Sequence, residues 1–127
     1  MKNKVAIIIP VFNTEQYLNE CLNSVCNQTM HELEILCVYT ESKDKSLEIL
    51  QKFEKKDNRV RIIRRDDGGL GGARNEGLKH VNSNYVFFLD SDDFIAKNAI
   101  EELYNKATKE NSDMVIFPFY SYNETTK

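Results

Sequence analysis

No apolar run in this sequence approaches the roughly 20 residues that a membrane-spanning helix needs; the longest cover residues 5–10 and 85–89. Lys2 and Lys4 precede the first run as they would in a signal peptide. Pro10 and Asn13 interrupt it, however, and no small-residue cleavage site follows, so a first buried strand is the better reading. Positive charge is not in excess: 17 basic residues face 20 acidic ones, and no basic stripe of the kind a nucleic-acid binder carries is present. Cysteines number three, Cys21, Cys26 and Cys37, an odd count without metal-type spacing. They read as reduced core residues of a cytosolic protein rather than as disulfide or catalytic groups. The two histidines, His31 and His80, have no His, Cys or carboxylate at ligand spacing and read as incidental surface residues. Internal repeats, linkers and low-complexity segments are also missing, and 127 residues suit one domain with one core.

What is present is an alternation. Residues 5–9 form an uninterrupted apolar run ended by Pro10, as expected of a strand covered on both faces. Tyr17, Leu18, Cys21, Leu22 and Val25 then recur at helical spacing, with Asn13 or Thr14 as the cap. A second strand is expected over 33–39, a second helix through Leu47, Leu50 and Phe53 closed by the charged run 54–57, and a short strand over 60–63. The turn-rich segment 66–72 holds four of the five glycines and leads into a helix over about 73–81. A further buried strand is expected over 85–89, a helix bearing Ala99, Ile100, Leu103, Tyr104 and Ala107, and a last strand from 114 to 117. Five strands alternating with four helices predict an α/β fold: a doubly wound, mainly parallel sheet with helices on both faces and with 5–9 and 85–89 near its centre. Ligands of such sheets bind beyond the carboxyl ends of the strands, here the loops 10–14, 40–44, 66–72 and 90–93.

Three of these loops carry chemistry. Asp90-Ser91-Asp92-Asp93 follows an apolar strand directly, and carboxylates so placed repel one another and lose solvation. A hard divalent cation, Mg²⁺ or Mn²⁺, would resolve both problems; the alternative is a solvated helix cap. Asp67 to Asn75 combines glycines, which permit close backbone approach, with Arg74, a charge suited to a diphosphate. Its spacing is neither G-x-G-x-x-G nor a P-loop, and a flexible turn with a surface arginine reads equally well. In the first loop Phe12 offers either an aromatic face to a base or a core residue, and Asn13 a helix cap.

Taken together, "VAIIIPVFNTEQYLNECLNSVCNQT", "DDGGLGGARNEGL" and "YVFFLDSDD" resemble the opening strand and helix, the glycine-arginine segment and the Asp-x-Asp strand of the family 2 glycosyltransferases. The resemblance runs from Val5 to Phe117 and implies the GT-A fold, with its Rossmann-like nucleotide-binding half. It implies a nucleotide-diphosphate-sugar donor, a UDP-sugar by preference, lined by Pro10, Phe12, Asn13, Glu15 and Thr40. Arg74 would reach the nucleotide or its diphosphate, Asp90 the ribose or sugar hydroxyls, and Asp92 the Mn²⁺ or Mg²⁺ ion. Transfer would go with inversion to a saccharide or lipid-linked acceptor, in the service of cell-surface polysaccharide. It also implies that the general base falls after residue 127, so that 1–127 is expected to be a donor-binding domain of a longer cytoplasmic enzyme, placed at the inner face of the membrane. Where the family carries V-D-D-G-S, this chain has Val38-Tyr39-Thr40-Glu41-Ser42, a departure that bears on base recognition. Two other readings are kept: a nucleotide-binding or assembly module with a degenerate donor site, and a haloacid-dehalogenase-type phosphatase. The latter places its Asp-x-Asp on the first strand rather than the fourth.

Overall fold

The structure, a computed structural model, describes residues 3–65 and 70–110. Its elements alternate as β1 (Asn3–Val11), α1 (Glu15–Cys26), β2 (Leu33–Thr40), α2 (Ser46–Lys56), β3 (Val60–Arg65), α3 (Leu70–Leu78), β4 (Ser83–Phe88) and α4 (Ala99–Lys109). The strands form one parallel sheet in the order β3-β2-β1-β4. The chain therefore steps outward from β1 to β3 and returns across β1 to β4, the doubly wound pattern that places a switch point between β1 and β4.

Strand alternation divides the core in two. Val5, Ile7, Ile9 and Val11 of β1 pack with Leu33, Ile35, Cys37 and Tyr39 of β2 under α1, α2 and α4. Ala6, Ile8, Leu36, Val38 and Ile63 meet Ala73 of α3 on the other face. Helix α1 reaches the first cluster through Leu18, Cys21, Leu22 and Val25, one stripe at helical spacing. On the second face α3 lies very close to the sheet: a Cβ on Gly77 would come within 2.6 Å of Ile8 Cγ2. Below the sheet's amino ends Glu34, nearly buried, accepts hydrogen bonds from the Asn82 backbone N–H and the Ser83 hydroxyl and so ties β2 to the start of β4.

Several sequence expectations change. Among the described residues β4 stands at the edge of the sheet rather than near its centre, with Val86 and Phe88 36% and 40% exposed. The apolar run 85–89 reads as doubly covered; among the described residues α3 packs chiefly over β1, β2 and β3 and reaches β4 through Arg74, whose guanidinium lies over the Phe88 ring. The strand expected over 114–117 lies outside the described residues. Pro10 does not end β1 but sits within it, paired with Val38. Ile8 accepts the last ladder bond from Leu89, and by alternation residue 10 turns its missing N–H to that same side, where β4 pairing has ended. Helix α2 continues through the charged residues 54–56, whose side chains face solvent. Helix α3 begins at Leu70 rather than 73, so Gly71 and Gly72 belong to its first turn. Cys26 is half-buried, unlike Cys21 and Cys37. His80 is not isolated: its Nε2 lies 3.2 Å from Glu76, one helical turn earlier.

Candidate functional site

The loops after β1 and β2 are stitched together. The Asn13 N–H donates to Ser42 Oγ, at 2.9 Å, and Asn13 Oδ1 accepts from the Lys43 N–H, at 3.2 Å. Asn13 does this from a left-handed backbone, φ 51°, a conformation that asparagine tolerates better than most residues. Of the two caps expected for α1, Asn13 or Thr14, it is Thr14 that holds the cap position, but its hydroxyl makes no capping bond and is buried and unpartnered among the described residues. The cap comes from the neighbouring loop instead. Asp44 accepts from the Glu15 N–H at 3.1 Å and from the Ser46 N–H at 3.0 Å, one carboxylate serving two helix starts. Burial alone would raise the Asp44 carboxyl, but the hydrogen bonds from Ser46 and Glu15 outweigh it and hold it below its ordinary value. Sequence reading passed over Asp44, Ser42 and Ser46, although an aspartate two residues before a serine at a helix start is a turn signal in its own right.

Of the residues expected to line a base, Phe12 is 56% exposed, which removes its core alternative. Glu15 opens α1 with its side chain in solvent, and Thr40 ends β2 nearly buried. Tyr39 is buried in the core, and its hydroxyl accepts the Ser42 N–H at 2.9 Å. Pro10, Phe12, Asn13, Glu15 and Thr40 thus lie in or beside the two loops that hydrogen bonds join at the ends of β1 and β2, with Tyr39 as part of their support.

The second group gathers at the end of β4. Asp90, Asp92 and Asp93 each bring a carboxylate oxygen within 4.8 Å of the others. At that spacing two charges repel by about 3 kcal/mol where the effective dielectric is ~20, and by less where water screens them. Arg74, on α3, offsets part of this: its Nη2 stands 3.3 Å from Asp90 Oδ1, and its guanidinium lies 5.7 Å from the centre of the Phe88 ring. Arg74 Nε is buried and has no partner among the described residues. Asp92 is exposed, while Asp93 is buried and donates its backbone N–H to the Asp90 carbonyl at 3.1 Å. Behind the turn the Cys21 thiol lies 3.7 Å from that same carbonyl. Its burial, and then the charges of Asp93, Asp92 and Asp90, push the thiol well above its ordinary range, so it is protonated packing rather than a nucleophile. The donor set is three hard oxygens on a strand-end turn, which suits Mg²⁺ or Mn²⁺ and suits soft metals poorly. Residues 66–69 of the glycine segment lie outside the described residues.

A parallel sheet of this order, covered by helices on both faces and ending in an Asp-x-Asp turn beside an arginine of α3, is an α/β fold of the GT-A type. The chain belongs to Glycosyl transferase family 2, whose profile it matches over residues 6–127. It is 41% identical over 123 residues to the glycosyltransferase GlyA of Streptococcus pneumoniae, covering 97% of this chain and 18% of that one. It is also 41% identical over 117 residues to the poly(ribitol-phosphate) beta-glucosyltransferase of Bacillus spizizenii, covering 89% of this chain and again 18% of the relative. Among solved structures, residues 1–349 of Staphylococcus aureus TarS in complex with UDP-GlcNAc superpose with a TM-score of 0.79 at 32% identity, over 85% of this chain and 32% of that one. The chain thus spans about a fifth of the length of both curated relatives. Among the described residues no helix is long and apolar enough to cross a membrane.

Proposed function

We propose that this chain is the donor-binding domain of a metal-dependent glycosyltransferase. It would take a nucleotide-diphosphate sugar, a UDP-sugar by preference, for transfer with inversion to a saccharide or lipid-linked acceptor in cell-surface polysaccharide synthesis. The observation that carries the reading is the meeting of Arg74 with the Asp90, Asp92 and Asp93 turn where the strand order reverses. A purely structural acidic turn has no need of a partly exposed arginine shelved on an aromatic ring. A diphosphate site has need of both charges.

The geometry supports the following roles. The exposed ring of Phe12 offers a stacking face for a base, beside the rigid pair of loops held by Asn13, Ser42 and Asp44. Arg74 contributes a cation for phosphate oxygens, and its contact with Asp90 aims that carboxylate to accept from a ribose or sugar hydroxyl. Asp92, exposed beside them, would hold Mn²⁺ or Mg²⁺. A cation bound there would supply charge neutralisation on the departing nucleoside diphosphate. No described residue is assigned as the acceptor's general base: Asp44 holds two backbone N–H groups, and Asp90 faces Arg74.

Titration calorimetry with UDP, GDP and CDP, with and without Mn²⁺, tests the reading. Diphosphate binding is expected to require the cation and to fall at least tenfold in Asp92→Asn, which removes a ligand charge at nearly constant shape. Equal affinity in both proteins, or indifference to a chelator, would sink it. One observation favours a second reading, a degenerate donor site: Tyr39 stands where the family carries an acidic residue, and it is buried. That reading expects nucleotide binding without preference among the three bases.

A further inference from the structure

The acidic turn is followed by residues 94–98, a stretch with no regular structure before α4 begins at Ala99. A chain segment of this kind must find partners for its backbone polar groups or leave them in water. It finds them on the carboxyl end of α1. The Ile95 N–H donates to Ser24 Oγ at 3.2 Å, and the Ala96 carbonyl accepts from Gln28 Nε2 at 2.6 Å. The Lys97 carbonyl accepts from the Thr29 N–H at 2.9 Å, and the Ile100 N–H donates to Gln28 Oε1 at 3.0 Å.

Gln28 is the centre of this arrangement. It is 1% exposed, and its amide makes three hydrogen bonds: two donated to the Ser24 and Ala96 carbonyls, one accepted from Ile100. A buried amide with this many bonds costs a great deal to leave unpaired and is correspondingly rigid. It bonds at once to the last turn of α1, the exit of the acidic turn and the first turn of α4. We infer that Gln28, seconded by Ser24, is a positioning residue for the acidic turn. It fixes the path of residues 94–100 and so sets where the Asp92 and Asp93 carboxylates stand relative to Asp90 and Arg74. The inference rests on the donor-site reading given above. It adds that the spacing of the site is set from α1, by a residue that touches neither nucleotide nor cation.

The test compares Gln28→Met, which keeps the length of the side chain and removes all three hydrogen bonds, with Phe53→Leu, a core change on α2 remote from the turn. Both are made in the full 127-residue chain, and both are expected to lower the melting temperature. Amide hydrogen exchange at Asp93 and Ile95 is expected to accelerate at least tenfold in Gln28→Met and to stay unchanged in Phe53→Leu. Mn²⁺ affinity in the presence of UDP, read from the Mn(II) electron paramagnetic resonance signal, is expected to weaken at least tenfold in Gln28→Met alone. If Gln28→Met does not fold, Ser24→Ala, which removes the bond to Ile95 and the one that the hydroxyl donates to the Cys21 carbonyl within α1, is expected to move both readouts severalfold. Equal exchange in the two variants, or fast exchange with unchanged Mn²⁺ affinity, reduces Gln28 to packing and overturns the inference. A wild-type chain that binds no Mn²⁺ with UDP overturns the donor-site reading instead, while the exchange arm still decides whether Gln28 holds the turn.

Discussion

At the scale of single residues, side chains that look like ligands in the sequence are divided by the structure between site and support. Tyr39 is the clearest case. Its ring is core and its hydroxyl holds the Ser42 N–H, so an aspartate placed there would bury a carboxylate among Ile9, Cys37 and their neighbours rather than create a base contact. Tyr39→Phe is expected to cost about 1 kcal/mol, the worth of one hydrogen bond, and Tyr39→Asp several times that; urea unfolding of the two variants checks the order. Thr40, at the strand end, is where a base-directed substitution belongs. A second residue-scale prediction concerns Asp57. The side-chain hydrogen bond from Arg59, at 2.6 Å, holds the Asp57 carboxyl down from 3.8 to about 2. Arg59 in turn donates to the Cys26 and His31 carbonyls, so the pair closes the end of α1 over the start of β2. Because the folded value is the lower one, the stabilisation is complete above pH ~4 and is lost as pH falls toward 2. At neutral pH it is worth about 1–2 kcal/mol after allowance for partial exposure. Wild type should therefore exceed Asp57→Asn in unfolding free energy at pH 7 by about that amount, with the gap closing near pH 2. A constant gap across that range would mean the ion pair contributes nothing.

At the scale of elements, what was legible in the sequence was whatever periodicity alone decides. The apolar stripe of α1 and the continuous runs of β1 and β2 fix those elements, because one is covered along a face and the others on both sides. What was not legible depends on neighbours. The run 85–89 cannot reveal that α3 packs chiefly over β1, β2 and β3, and Pro10 cannot reveal that the ladder beside it has already ended. The same holds in the site. Asp90, Asp92 and Arg74 stand out by type and place, whereas Asp44 and Gln28 act through hydrogen bonds to residues about 30 and 70 positions away, which no local pattern encodes. Gly77 illustrates the point for packing. In the sequence it is one glycine in a helix; in the structure its missing Cβ is what lets α3 sit on Ile8. Gly77→Ala raises helix propensity by about 1 kcal/mol, yet overpacking against a β-branched core residue costs about 1–3 kcal/mol, so net destabilisation is expected. Thermal unfolding decides the sign, and a higher midpoint in the variant would show that Ile8 yields easily.

For the molecule as a whole, the question is what this set of residues can do with a bound donor. Displacement at an anomeric carbon needs the acceptor hydroxyl held in line and its proton taken up, and positioned base catalysis is typically worth on the order of 10²–10⁴ in rate. Holding the acceptor is worth more, since it turns a bimolecular encounter into an effectively unimolecular one. Around the switch point the described carboxylates have other employment. Asp44 holds two helix starts, Asp90 answers Arg74, and Asp92 and Asp93 complete the proposed cation site. Glu15 opens α1 with its side chain in solvent and its N–H on Asp44. Water needs neither an acceptor pocket nor precise placement, so slow hydrolysis of the donor can persist where transfer does not. The expected outcome for the 127-residue chain incubated with Mn²⁺, UDP-sugars and simple glycoside acceptors is therefore release of UDP without glycosylated product. Mass spectrometry of the acceptor and a coupled assay for UDP separate the two. Product formation at a rate matching UDP release would place a base and an acceptor site within these residues, and Asp93, the most buried carboxylate of the turn, would be the first to substitute.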